Sequence, residues 1–206
     1  MPDPAVTVSG RVPGALLLDG KYRLERPLAV GGMSTLWRAT HTTLDRPVAV
    51  KFIDVDRGNE LVVERFLREA KVAAAIRHPN VIDILDFGRT ADGEPIIVME
   101  LLEGRSLDER LSQDPPLATI QVVQIAGQIL NGLEAVHRSG IVHRDLKPGN
   151  VFLSDGDGDI FARLLDFGIS YSLDPESALR RGRFGTEDRL VVGTPEFMAP
   201  EQAEGR

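Results

Sequence analysis

The sequence predicts an α+β fold in two lobes, on three observations. The first half reads as strands of period two separated by polar turns. The second half carries the longest run of apolar residues at helical spacing. No segment repeats another, so a sheet-rich part and a helix-rich part follow each other as different structures. A chain of 206 residues, 42% of them hydrophobic, can bury one good core or two small ones meeting at a cleft.

Residues 1–19 show no periodicity and hold three prolines, which predicts a flexible N-terminal leader before a folded domain over 20–206. From Tyr22 the texture is strand, turn, strand: "YRLERPLAV", a glycine pair, "TLWRATH", a polar turn, then "PVAVKFI". Alternation in "TLWRA" and the β-branched "VAV" support a sheet. Between Glu60 and Ile76, Leu61, Phe66, Ala70, Ala73 and Ala74 fall at helical spacing. "HPN" ends that helix, because the residue before a proline leaves the α region. "VIDILDFG" and "PIIVMEL" read as two more strands around the turn "TADGE". Ser106, with Glu109 three residues on, caps a helix of about two turns.

The longest helix runs from about Thr119 to Ser139. Val122, Ile125, Ala126, Ile129, Leu130, Leu133 and Val136 recur three and four apart there, and Gly140 ends it. Short strands follow at "IVH", "VFL" and "ARLLD", and the remainder is irregular, with a polar stretch over 174–189.

Composition excludes several functions. A net charge of -7, with a pI near 5.2, argues against a general nucleic-acid or anionic-membrane binder. No apolar run approaches the ~20 residues that span a bilayer. The "ALLL" at 15–18 lacks the basic region of a signal peptide. Cysteine is absent, which removes disulfides, thiolate metal sites and a cysteine nucleophile. The expectation is a cytoplasmic protein with no nucleic-acid partner and no membrane segment.

Four segments carry chemistry. Lys51 ends "VAVK", and its ammonium needs a partner, for which Glu69 on the following helix is a candidate. An edge-strand lysine in water accounts for Lys51 equally well, so neither residue decides the matter. "LAVGGMSTLW", residues 28–37, is a strand-turn-strand whose glycines can bring backbone N–H groups to phosphate oxygens. A plain hairpin explains those glycines too. "HRDLKPGN" is sharper. Asp145 can take a hydroxyl proton, Lys147 can neutralise phosphate charge, and Asn150 offers an oxygen to a hard cation. Asp166, in "LLDFG", adds a second carboxylate, and such oxygens suit Mg²⁺ together with substrate phosphates.

Taken in order, "VAVK", "HRDLKPGN", "DFG" and "APE" resemble a protein kinase, specifically the bacterial serine/threonine kinases of eukaryotic type. The resemblance runs from Tyr22 to the last residue. It implies a bilobal protein-kinase-like fold: an antiparallel-sheet N-lobe with one main helix at about 20–98, a hinge at about 99–104 and an incomplete helical C-lobe over 105–206. It implies ATP and Mg²⁺ as cofactors and a protein with a serine or threonine acceptor as substrate. On this resemblance Lys51 holds the α/β-phosphates and pairs with Glu69, while Asp145 is the catalytic base. Lys147 supports the transferring group, and Asn150 and Asp166 hold Mg²⁺. Met99 is the gatekeeper, and Glu100 to Leu102 form the adenine-binding hinge. Leu28, Leu36 and Ala49 enclose the base, beneath a phosphate loop of Ala29, Val30, Gly31, Gly32, Met33 and Ser34. Thr194, in "GTPEF", lines the acceptor site. Arg144 answers a phosphate on an activation loop at about 169–194, with Thr186 the first candidate for self-phosphorylation or for a partner kinase. Ser170, Ser172 and Ser177 stand behind it, and an ordinary loop residue explains Thr186 as well.

Two departures and three decoys complete the reading. The G-x-G-x-x-G positions hold Ala29, Gly31 and Ser34, so weakened nucleotide binding is expected. The chain stops five residues after Glu201, where the family continues into further helices. That predicts a long helix with an exposed apolar stripe, and a fragment, a truncated product or a short protein completed by a partner. "SDGDGDI" mimics a calcium loop, but counting from Asp155 its sixth and twelfth positions hold Ile160 and Asp166 instead of glycine and glutamate, so a hairpin turn is expected. His137 and His143 lack metal spacing; His143 is expected as a buried structural residue below Phe167, and His78 as a local structural one. The reading is therefore an ATP- and Mg²⁺-dependent protein serine/threonine kinase. The alternative is a catalytically impaired kinase-fold module that binds nucleotide or a partner kinase.

Overall fold

The computed structural model describes residues 11–31, 34–54, 60–156, 159–166 and 195–203. The chain forms two compact units, one of Met1–Glu60 with Ile84–Leu101 and the other of Leu61–Asp83 with Leu102–Arg206.

The first unit is an antiparallel sheet. Its strands are β1 (Leu16–Leu17), β2 (Tyr22–Val30), β3 (Ser34–His41), β4 (Arg46–Ile53), β5 (Ile84–Arg89) and β6 (Pro95–Glu100), ordered β1-β2-β3-β4-β6-β5. Period two explains its packing. Trp37, Val48, Val50, Phe52, Ile96 and Val98 alternate onto one face and form the core with Tyr22 and Leu24. β2 carries register shifts between Leu24 and Arg26 and between Pro27 and Ala29. Pro27 has no N–H for a ladder, and a bulged strand next to a two-residue edge tolerates it.

The leader expected over 1–19 is corrected from residue 11 onward. Arg11 is buried, with its guanidinium on Asp54 at 2.7 Å, Glu94 at 3.3 Å and Thr35 at 2.9 Å. It also sits 4.8 Å above the centre of the Phe52 ring. Leu17 joins the core, and Leu16 and Leu17 pair with Arg23 and Tyr22. A buried cation held by carboxylates and a two-residue strand leave no periodic trace in the sequence. Residues 1–10 lie outside the described residues.

The second unit holds α1 (to Ala73 from Glu60), α2 (Leu107–Gln113) and α3 (Thr119–Arg138). It also holds α4 (Pro200–Ala203) and a three-stranded antiparallel sheet of β7 (Arg105–Ser106), β8 (Val151–Gly156) and β9 (Asp159–Leu164). α1 buries Val63, Phe66, Ala70 and Ala73 at helical spacing. It ends before Ile76 because Ala75 and Ile76 donate to the third residue back, tightening the last turn. Ser106 caps α2 in a reciprocal capping box with Glu109. Ile125 on α3 packs with Val151, Leu153, Ala162 and Leu164, joined by Ile129 and Leu133. Ile120, Val122, Val123 and Leu130 on the same helix are exposed.

One strand expectation fails. "IVH" joins no ladder, while Leu164 on β9 bonds the 80–82 segment: Leu164 N–H donates to Asn80 O and Ile82 N–H to Leu164 O. The calcium decoy is a hairpin, with Asp155 opposite Ile160 and Gly156 opposite Asp159. No helix among the described residues is long and apolar enough to cross a membrane.

Candidate active site

Each unit holds its own set of the residues that the sequence singled out. In the first, β4 pairs Ala49 with Met99 and Lys51 with both Leu36 and Ile97. Residues directly opposite share a face, and so do residues two apart. The register therefore gathers Leu36, Ala49, Lys51 and Met99 on one face of the sheet, opposite the core. Ala29 pairs with Leu36 and Val30 with Thr35, while Gly31 N–H donates to Ser34 O at 2.9 Å and closes the turn. A Cβ on Gly31 would lie 3.3 Å from that oxygen, so a side chain there would press the turn open by a few tenths of an ångström. Leu28 and Val30 are exposed beside it, and Gly32 and Met33 lie outside the described residues. Glu100 ends β6.

In the second unit the segment 143–150 forms a knot. Asn150 Nδ2 donates to the Asp145 carbonyl at 2.8 Å and to its Oδ2 at 2.9 Å. Lys147 Nζ lies 2.9 Å from the same Oδ2. Pro148–Asn150 is a single 3₁₀ turn, which Pro148 starts without needing an N–H, and it lifts Asn150 back toward Asp145. The amide nitrogen of Asn150 faces Asp145, so the amide oxygen is the end that can meet a cation. Val151 pairs with Leu164, and Leu165 N–H donates to Asn150 O at 2.9 Å. Asn150 and Asp166 thus flank the same end of one hairpin. Asp166 has φ 52 and Arg144 has φ 64, a left-handed region that non-glycine residues occupy at a cost.

His143 is buried, and neither ring nitrogen has a partner of good geometry among the described residues. Burial pushes its pKa down, against the smaller opposing pull of nearby backbone at His143 and Leu165 and of Asp145 and Asp166. Glu69 pairs with Arg65 on its own helix at 3.3 Å, and Leu102 follows the first unit in the second. Phe167, Ser170, Ser172, Ser177, Thr186 and Thr194 lie outside the described residues.

Sequence reasoning missed three supporting residues. Gln128 Oε1 accepts from Ala162 N–H and from Asn80 Nδ2, and its Nε2 donates to Ile160 O, which pins the strand leading to Asp166. Asn80 Nδ2 also donates to Ala162 O at 2.9 Å. "HPN" marked Asn80 only as a helix end, and nothing in the pattern marked Gln128. Gln202 donates from Nε2 to the Arg144 carbonyl at 2.7 Å, again with no sequence signal.

The loop thus ties an aspartate to a lysine and an asparagine, beside a hairpin that leads to a second aspartate. The chain belongs to the protein kinase family, since the family described as protein kinase domain matches residues 22–206. It is 41% identical over 194 residues to serine/threonine-protein kinase pkn2 of Myxococcus xanthus, covering 94% of this chain and 23% of that one. Against PknL of Mycobacterium bovis it is 38% identical over 188 residues, covering 90% and 44%. Among solved structures, the PknI kinase domain of Mycobacterium tuberculosis superposes with a TM-score of 0.66 at 26% identity, covering 77% of this chain and 63% of that one. The chain thus spans less than half the length of these two relatives.

Proposed function

We propose that this chain carries an ATP- and Mg²⁺-dependent protein serine/threonine kinase activity. The observation that supports it most is the knot of Asp145, Lys147 and Asn150 on one loop. Asp145 Oδ would take the proton of an acceptor hydroxyl as that oxygen attacks the terminal phosphorus of ATP. The bond from that phosphorus to the bridging oxygen would break, so that ADP leaves, and Asn150 would hold the carboxylate in place. Lys147, already on that carboxylate, would neutralise charge on the transferring group. Asn150 and Asp166 are the residues that would hold Mg²⁺, which supplies charge neutralisation for the phosphates when bound. The donor set fits: Mg²⁺ takes one or two carboxylates and completes its shell with phosphates and water. No cluster of three histidine, cysteine or acidic side chains appears among the described residues, and this cation needs none.

Lys51 would hold the α/β-phosphates, with Glu69 as its partner. Leu28, Leu36, Ala49 and Met99 would contact the adenine, and Glu100 and Leu102 would bind its edge. Ala29, Val30, Gly31, Gly32, Met33 and Ser34 would cover the phosphates. With Ala29 and Ser34 in two glycine positions, nucleotide binding is weaker than three glycines would give. A protein hydroxyl is the acceptor, and Thr186 is the candidate for self-phosphorylation or for a partner kinase.

The test is the intact mass of the purified chain after incubation with Mg²⁺ and ATP, beside Asp145→Asn. Added phosphate in the parent and none in the variant is expected. A folded parent that gains none, alone and with a generic protein acceptor, would overturn the activity and leave a kinase-fold module that binds nucleotide or a partner kinase.

A further inference from the structure

We propose that Gln202 is a positioning residue for Asp145, acting through the peptide that joins Arg144 to it; this rests on the kinase reading above. Asp145 N–H donates to His143 O at 2.9 Å, across a central Arg144 with φ 64. A bond spanning two residues with a positive φ between them is the rare, strained form of the γ-turn. A side chain at that φ meets its own backbone, so the turn persists only where the surroundings over-determine it.

The peptide unit between Arg144 and Asp145 is held at both ends. Its N–H is held by His143 O, and its C=O accepts from Gln202 Nε2 at 2.7 Å, 58 residues away in sequence. The Gln202 amide is itself oriented, because Ala199 N–H donates to its Oε1 at 3.3 Å and Gln202 N–H donates back to Ala199 O at 3.0 Å. With the oxygen facing Ala199, the nitrogen faces the loop. Fixing that peptide plane fixes the direction in which the Asp145 side chain leaves the backbone. Asn150 then holds the carboxylate from the other side, at 2.9 Å. The segment 199–202 therefore reaches the reacting carboxylate through one hydrogen bond and one peptide. A shift of about 1 Å in such a group costs up to about 100-fold in rate.

Gln202→Glu is the discriminating variant. It keeps size and the acceptor toward Ala199 N–H, but it sets a carboxylate against the Arg144 carbonyl. Gln202→Ala removes both bonds, and Glu196→Gln, on the preceding 3₁₀ turn, is the matched control. In steady-state phosphorylation of a generic protein acceptor, both Gln202 variants should lower kcat about tenfold and leave the KM for ATP within about twofold. Amide hydrogen exchange, which needs no catalysis, should quicken about fivefold over 143–147 and stay unchanged in β8 and β9. Glu196→Gln should alter neither readout. An unchanged kcat with unchanged exchange would overturn the proposal, as would faster exchange across the whole second unit or an altered KM alone. If the parent transfers no phosphate and exchange over 143–147 still quickens, the brace stands and the kinase reading falls.

Discussion

Two buried ionisable side chains give the clearest residue-scale tests. Burial lowers the pKa of His143 from its ordinary 6.5, so the folded chain takes up its proton at a lower pH than the unfolded chain does. Above about pH 6.5 both states are neutral and His143 leaves stability intact. As pH falls below that value the unfolded state gains a proton first, so stability drops until the lower folded pKa is passed. His143→Phe should therefore flatten the urea midpoint between pH 7 and pH 5.5 relative to the parent; identical pH profiles would refute the neutral imidazole. Arg11 argues through geometry instead. Arg11→Ala deletes charge-assisted bonds to Asp54 and Glu94 and should cost about 2–3 kcal/mol in denaturant unfolding. Arg11→Lys should recover only part, because a point charge cannot reproduce a planar fork over the Phe52 ring. A loss below 0.5 kcal/mol would mean the pairs behave as surface bridges. Neither role was fully legible: the resemblance implied a buried His143, whereas Arg11 stands in a segment whose prolines suggested only a leader.

At the scale of elements, close packing can outweigh intrinsic propensity. Gly132 lies inside α3, where alanine is favoured by about 1 kcal/mol. A Cβ there would stand 2.7 Å from Asn80 O and 2.9 Å from Leu164 Cδ1. The leucine can rotate, but the carbonyl is backbone, and it belongs to the segment that bonds β9. Overpacking of this kind costs roughly 1–3 kcal/mol, so Gly132→Ala should lower the denaturation midpoint in spite of its helix preference. A raised midpoint would show that the contact relaxes. α2 and α3 were legible in outline, since capping residues and spacing act locally. "IVH" was misread for a physical reason: β-branched residues favour a strand, yet a strand needs a partner, and 141–143 join neither sheet. The candidate site stands in the sequence as residue types in order, which carry the family resemblance, and the structure ties Asp145, Lys147 and Asn150 together. The supports at Gln128, Asn80 and Gln202 were not legible, because an amide that braces a backbone carbonyl follows no spacing.

For the molecule as a whole, charge and an apolar row on α3 oppose each other. Ile120, Val123 and Leu130 are 64%, 62% and 64% exposed and fall on one side of the helix. Gly127 lies between them, with nothing within 4 Å of where a Cβ would be. Such a row favours association through its apolar area, while a net charge of -7 keeps copies apart. Screening should decide the balance, since the Debye length falls from about 10 Å at 0.1 M salt to about 3 Å at 1 M. Sedimentation velocity should show the mean sedimentation coefficient rising with salt at fixed protein concentration. The double variant Val123→Lys, Leu130→Lys separates the two forces. It makes the chain less negative, which alone would promote association, but it breaks the apolar row. If the row drives contact, the variant stays monomeric at salt concentrations where the parent associates. If the variant associates more readily than the parent, charge repulsion was the governing force, and the exposed face of α3 is inert.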